Sequence, residues 1–242
     1  MAKKSFISLV ENGHSAGART LIERTHAQLR EDILSGRLAP GEKLLIEHLK
    51  DRYEVGAGTL REALSRLVSE AMVSAEGQRG FTVAPITLED LIDLTNVRVR
   101  VETEALRTSI RNGDENWRRQ LRAAYENLSV LEQPLLAENI IRWEAANAHF
   151  HEALLAACDS TWTLRLVRQL TQHGERYRRH AIGLPAGRDV HSEHALIFGS
   201  AVTGQDARAA LALESHIRAT PELIAKTIQS GHNLFNKSRN HS

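Results

Sequence analysis

Residues 40–83 read PGEKLLIEHLKDRYEVGAGTLREALSRLVSEAMVSAEGQRGFTV, and their periodicity changes twice. Leu45, Leu49 and Tyr53 recur on one side of a short helix, which Val55-Gly56-Ala57-Gly58 breaks. Thr59 opens a further helix to about Ala71, with Leu60, Leu64, Leu67 and Val68 as its buried stripe. The period then becomes strand-like: 72–75 and 81–84 flank Glu76-Gly77-Gln78-Arg79-Gly80, a polar connection with two glycines that fits a hairpin loop. Upstream, Ile22, His26, Leu29 and Ile33 predict a first helix, stopped by Ser35-Gly36 and followed by the turn residues Pro40-Gly41. Three helices followed by a hairpin predict a winged helix-turn-helix.

Beyond Thr87 almost everything reads as helix. Thr87-x-x-Asp90 is a capping box that starts a long helix to about Ile110, ended by Asn112-Gly113. Further segments fall near 115–132, 137–158, 161–182, 189–203 and 206–230, with breaks at Pro134, Asp159-Ser160, 183–187 and Gly204. No strand pattern follows residue 86. The expected architecture is mainly α: a winged helix-turn-helix at the N-terminus and an antiparallel all-helical bundle at the C-terminus. The expected divisions are a flexible arm at 1–18, a DNA-binding domain at 19–86, a helical ligand-binding domain at 87–231 and a flexible tail at 232–242.

A single cysteine, Cys158, excludes an intrachain disulfide and favours a reducing compartment. The N-terminus has no apolar run of signal-peptide length, and nothing approaches the roughly 20 apolar residues of a membrane helix. A cytoplasmic protein with no membrane partner is therefore expected. Net charge is only +1, and residues 1–86 carry 12 Lys and Arg against 11 Asp and Glu. Nucleic-acid binding must then be argued from where charges sit.

The second helix of a helix-turn-helix enters the major groove with its N-terminal residues against base edges. That singles out Thr59, Arg61 and Arg66, the arginines offering forked donors to guanine or phosphate. Gln78, Arg79 and Gly80 form a thin wing tip suited to the adjacent minor groove. Both arginines equally fit solvated partners of Glu62 and Glu70 at helical spacing.

In the helical half, Asn147 and His151 stand four apart on one helix face, and Glu193-His194 and Ser215-His216 follow on later helices. Three imidazoles converging from three helices would hold a divalent metal such as zinc, nickel, manganese or iron. Singly, each histidine also fits an exposed or hydrogen-bonded role.

Residues 20–84 resemble the DNA-binding domain of GntR-type regulators in Pro40-Gly41-Glu42-Lys43-Leu44, Leu60-Arg61-Glu62-Ala63-Leu64, Leu67 and Gly80-Phe81-x-Val83. The chain departs at Glu47 and at Gly56-Ala57-Gly58, where many members carry Arg and Ser-Arg-Thr. Residues 90–220 resemble the FadR-type all-helical C-terminal (FCD) domain in Arg98-x-x-x-Glu102, Asn147-x-x-Phe150-His151, Glu193-His194 and His216. The resemblance implies His151, His194 and His216 as metal ligands, with Asn147 standing where the family's Asp supplies a fourth. It also implies Arg98 as the clamp for a carboxylate effector, a homodimer on a pseudo-palindromic operator, and repression. The chain is similar in general pattern to carbon-starvation-induced repressors of this family. Arg176, on one stripe with Gln172 and His180, is the expected second arginine, and two arginines favour a dicarboxylate. A metal-dependent enzyme acting on a small acid lacks support, because there is no HExxH and no base beside the ligands beyond Glu152 and Glu193. The remaining alternative is a DNA-binding dimer whose helical domain is purely structural.

Overall fold

The computed structural model describes residues 7–75, 80–135, 137–181 and 188–229, the side chains of 7–19, 137 and 180–181 excepted. The chain divides into two compact units, one ending at Thr87 and one starting at Leu88.

The first unit contains α1 (Ile7–Leu34), β1 (Lys43–Leu44), α2 (Ile46–Tyr53), α3 (Ala57–Ser69), β2 (Val73–Ala75) and β3 (Phe81–Val83). Its strands form one antiparallel sheet in the order β1-β3-β2, with Leu44 opposite Phe81 and Ala75 opposite Phe81 on the other side. The stripe read from the sequence is the core: Leu29, Leu38, Leu60, Leu64, Leu67, Met72 and Val83 are fully buried. Three details differ from the sequence reading. Helix α1 reaches back to Ile7, through residues expected as an arm, since no proline interrupts it. Helix α3 starts at Ala57, two residues before Thr59. Strand β1 is too short for a period to show, and it forms because Gly41 N–H donates to Val83 and Val83 N–H to Glu42. Gly41 sits at φ +78, where a side chain would be strained.

Asp32 ties this unit together. Its carboxylate accepts from Arg37 Nε at 2.7 Å, Arg52 Nη2 at 2.9 Å and Tyr53 Oη at 2.5 Å, joining α1 to α2 and to the turn after α1. Burial pushes the Asp32 carboxyl up, but Tyr53 and the two guanidiniums outweigh it and hold it below the usual carboxylate range. Asp32→Ala leaves three donors without their acceptor, a half-buried network worth about 2 kcal/mol after allowance for solvent. Thermal melting of this variant is expected to show a fall in Tm of about 4–8 °C; an unchanged Tm would mean that the network contributes nothing.

The second unit is a helical bundle: α4 (Leu88–Asn112), α5 (Glu115–Glu132), α6 (Ile140–Leu155), α7 (Thr161–Ala181), α8 (Val190–Val202) and α9 (Asp206–Gln229). Helix α4 packs against α6, α7 and α9, while α5 packs against α6 and α8. The α4–α5 corner is tight. A Cβ on Gly113 would stand 2.1 Å from the Trp117 ring, and Asp114 caps α5 by accepting from Trp117 N–H. Trp117 in turn donates its indole N–H to Ala153 O at 2.9 Å, anchoring α6. Leu106, Leu121, Leu128, Phe150, Leu154, Ile197 and Leu213 fill the core between these helices. The fold class is thus the expected one, a winged helix-turn-helix followed by an all-helical unit.

Candidate functional site

In the first unit, α2 and α3 make the helix-turn-helix. Helix α2 ends at Glu54, which takes the left-handed φ of 53° and turns the chain toward Gly56, the N-cap of α3. Gly56 has no side chain to cap with, so the first-turn amides of α3 receive no side-chain cap. Leu60, Ala63, Leu64 and Leu67 face the core, which leaves Gly58, Arg61 and Ser65 exposed and Thr59 half-buried on the other face. Arg61 is therefore exposed near the start of α3, with no ion pair among the described residues. Arg66 is partly committed, 3.6 Å from Glu62, while Glu70 pairs with His26 at 2.7 Å instead. Gly80 precedes β3 at φ +97, a value that favours glycine. Gln78 and Arg79 lie outside the described residues.

In the second unit a cavity of about 190 Å³ opens among α4, α6, α7 and α9. Arg98 from α4, Asn147 and His151 from α6, Arg178 from α7, Arg188 just before α8 and His216 from α9 line it. His194 of α8, fully buried, completes a cluster with His151 and His216 in which the ligand nitrogens all lie within 4.8 Å of one another. Asn147 is buried one turn before His151.

Two of the three rings have one nitrogen already occupied. His194 Nδ1 lies 2.7 Å from Glu132 Oε1, and His216 Nδ1 lies 2.8 Å from Glu193 Oε2. A carboxylate accepts, so the shorter contact assigns Nδ1 as the donor in both rings, although Arg188 Nη2 also lies 3.3 Å from His216 Nδ1, and Nε2 is left as the atom to face a metal. His194 Nε2 is buried without a hydrogen-bond partner. Burial first, and then the neighbouring rings and arginines, hold His151 and His216 well below the ordinary histidine value. Both are neutral near pH 7, the form that binds a metal.

The arginines differ in how far they are committed. Arg98 Nε donates to Glu102 Oε1 at 2.6 Å, and its Nη1 lies where a Cβ on Gly174 would come within 2.8 Å, so a glycine there gives it room. Arg188 holds Glu193 with Nε at 2.8 Å and Nη2 at 2.7 Å, and also donates to His216 O and Thr220 Oγ1. Arg178 has no ion pair among the described residues, and its Nε is buried without a partner. Burial pulls its guanidinium below the ordinary arginine value. Arg176, the second arginine expected from the sequence, is buried but does not line the cavity. Two residues along a helix is a 200° turn, so Arg176 and Arg178 face opposite ways. The small residues Thr171 and Gly174, seven and four positions before Arg178 along α7, mark the cavity stripe.

The family models decide between readings of this geometry. Residues 21–83 match "Bacterial regulatory proteins, gntR family", and residues 93–219 match "FCD domain". The chain belongs to the GntR family. This GntR-family protein is 43% identical over 213 residues to the HTH-type transcriptional regulator BphR of Paraburkholderia xenovorans, covering 86% of this chain and 87% of that one. It is 31% identical to the HTH-type transcriptional repressor GlaR of Escherichia coli, covering 84% and 94%. Among solved structures, a GntR regulator from Rhodococcus superposes with a TM-score of 0.66 at 21% identity over 84% of this chain and 97% of that one. Escherichia coli McbR superposes at 0.68 and 20% identity, over 88% and 99%. These two share the fold. The family and its curated members are transcription regulators rather than enzymes. No helix among the described residues is long and apolar enough to cross a membrane.

In the GntR-family chain the three histidines fit a divalent metal, with the neutral Asn147 one turn before His151. Three imidazoles converge, two of them held at Nδ1 by a carboxylate, and Nε2 of His194 is otherwise an orphaned buried polar atom. Leaving it unsatisfied costs about 1–3 kcal/mol. An ion at the cluster removes that cost.

Proposed function

We propose that this protein is a cytoplasmic, homodimeric repressor that leaves its operator when a small dicarboxylate occupies the helical unit beside a divalent metal held by His151, His194, His216 and Asn147. The observation that carries the effector reading is Arg178, which makes no ion pair among the described residues and whose Nε is buried without a hydrogen-bond partner, beside the histidine cluster in a partly open cavity. A buried, unpaired charge is costly, and an anionic ligand removes the cost. Cavity size supports a small acid over a fatty acid: about 150 Å³ takes a ligand the size of benzene, and this cavity is about 190 Å³. Arg98 and Arg178 can share one carboxylate with the metal, and Arg188 stands in the same wall for a second. A bound metal supplies positive charge and open coordination positions for a carboxylate oxygen. Repression follows the name of the relative GlaR.

DNA recognition rests on Arg61, the exposed arginine at the start of α3. The test is fluorescence anisotropy with duplex DNA from the promoter beside this protein's gene, with and without C4–C6 dicarboxylates. Specific binding that weakens on adding one dicarboxylate is expected; operator binding unmoved by every acid would remove the sensing claim. Arg61→Ala is expected to weaken operator binding about 5–150-fold, the 1–3 kcal/mol of a base contact. Arg66→Ala should cost less, because Glu62 already holds that side chain. Linkage adds a check: if effector lowers DNA affinity by some factor, DNA lowers effector affinity by the same factor.

A further inference from the structure

We infer that Glu132, on a helix that contributes no metal ligand, is the positioning residue that locks His194 and returns to the metal site the negative charge that Asn147 lacks. The inference rests on the metal reading above. Asn147 is neutral, so the first shell of three imidazoles and one amide carries no charge against a divalent ion. The compensating carboxylates stand one layer out, behind His194 and His216.

These two carboxylates are not equivalent. Glu193 is held by both Nε and Nη2 of Arg188, so its charge is already matched. Glu132 faces no arginine or lysine among the described residues. Its partners are His194 Nδ1 at 2.7 Å, Trp143 Nε1 at 3.0 Å and His191 Nδ1 at 3.4 Å. Its side chain is 2% exposed, and Oε2 has no hydrogen-bond donor. A buried carboxylate flanked by imidazoles and an indole alone belongs beside a positive charge. Across the His194 ring, the nearest place for such a charge is at Nε2, itself buried and without a partner. Glu132 Oε2 lies 3.4 Å from His191 Nδ1, so the orphaned atom of the Glu132–His194 pair is His194 Nε2, and it points to one missing cation. A carboxylate on Nδ1 also fixes the ring's tautomer and orientation and raises the basicity of the ligating nitrogen. Trp143 holds Glu132 in this pose from α6, the helix that carries Asn147 and His151.

The test is zinc affinity of full-length protein stripped of metal, measured by competition with a chromophoric chelator, together with the Tm of the stripped protein. Glu132→Gln keeps the shape and an acceptor oxygen but removes the charge. Zinc affinity is expected to fall about 10–100-fold, with the stripped protein's Tm within a few degrees of wild type. Adding Asn147→Asp to Glu132→Gln is expected to restore at least tenfold of that loss, by moving the charge into the first shell. Asn147→Asp alone is expected to gain less than tenfold, because the charge is already supplied. This single variant keeps the inference open to refutation even if Glu132→Gln does not fold. Unchanged zinc affinity in Glu132→Gln, a loss that Asn147→Asp fails to recover, or a gain of 100-fold or more in Asn147→Asp alone would each overturn the role of Glu132 while leaving the metal reading intact. Wild-type protein that takes up no zinc would instead overturn the metal reading and this inference with it.

Discussion

In a thermal-shift titration of metal-stripped protein, zinc at about 100 times its Kd raises the Tm of the wild type by roughly 5–10 °C, and the rise disappears in His151→Ala. The first figure follows from linkage: binding only the folded state at that excess adds about 2.7 kcal/mol, which for a chain of this size is about 2–4 °C per kcal/mol. The second follows from the choice of ligand. His194 and His216 each hold a carboxylate through Nδ1, so truncating either would leave Glu132 or Glu193 without a hydrogen bond and would lower stability for reasons unrelated to metal. His151 has ring contacts to Phe150, His194 and His216 but, among the described residues, no carboxylate behind it. Its loss removes one donor and orphans nothing. His151→Ala is therefore the clean variant: metal-free Tm close to wild type, metal response gone. His194→Ala should show the lower metal-free Tm as well. Equal Tm rises in wild type and His151→Ala would show that the cluster is not the binding site. Adding a chelator to the loaded wild type should reverse its rise.

That three histidines would meet was readable in the sequence only as a spacing, and the physics behind the spacing explains what could and could not be read. Residues four apart on a helix must share a face, so Asn147 and His151 were paired from the start. Likewise the switch from the Leu60–Leu64–Leu67 stripe to Gly80-Phe81-x-Val83 could belong to little other than a helix running into a hairpin. What the sequence does not carry is information about which elements lie opposite one another. Glu132 sits at the very end of α5, and only the packing of α5 on α8 brings it to His194. Strand β1 exists because the turn at Gly41 aims two residues at β3, a tertiary event with no period of its own. The choice between Arg176 and Arg178 is a matter of helical phase. The stripe through Gln172 and His180 selected Arg176, whereas the side of α7 that meets α4 runs through Thr171, Gly174 and Arg178. The glycine is the signal that was available. A helix-interior Gly costs about 1 kcal/mol relative to Ala, and here it makes room for the Arg98 guanidinium.

Replacing Arg178 with methionine separates effector sensing from everything else the chain does. Methionine keeps most of the volume of the side chain and carries no charge. In the effector-free protein Arg178 makes no ion pair among the described residues and its Nε is buried without a partner, so removing its charge relieves a desolvation cost. The Tm of Arg178→Met without effector is expected to equal or exceed that of the wild type. With effector the sign reverses. A buried carboxylate that loses a charged hydrogen-bonding partner loses about 2–5 kcal/mol, so the dicarboxylate concentration that halves operator binding should rise at least about 30-fold. Operator affinity without effector should not change, because α3 and its arginines belong to the other unit. Arg176→Met is the matched control on the same helix. Arg176 is buried, engaged with its surroundings and off the cavity wall, so its loss should lower the Tm and leave the effector response where it was. A stabilised, DNA-competent and acid-insensitive Arg178→Met beside a destabilised, acid-sensitive Arg176→Met is a pattern that a purely structural helical unit does not produce, since such a unit has no reason to hold an unpaired cation against a cavity.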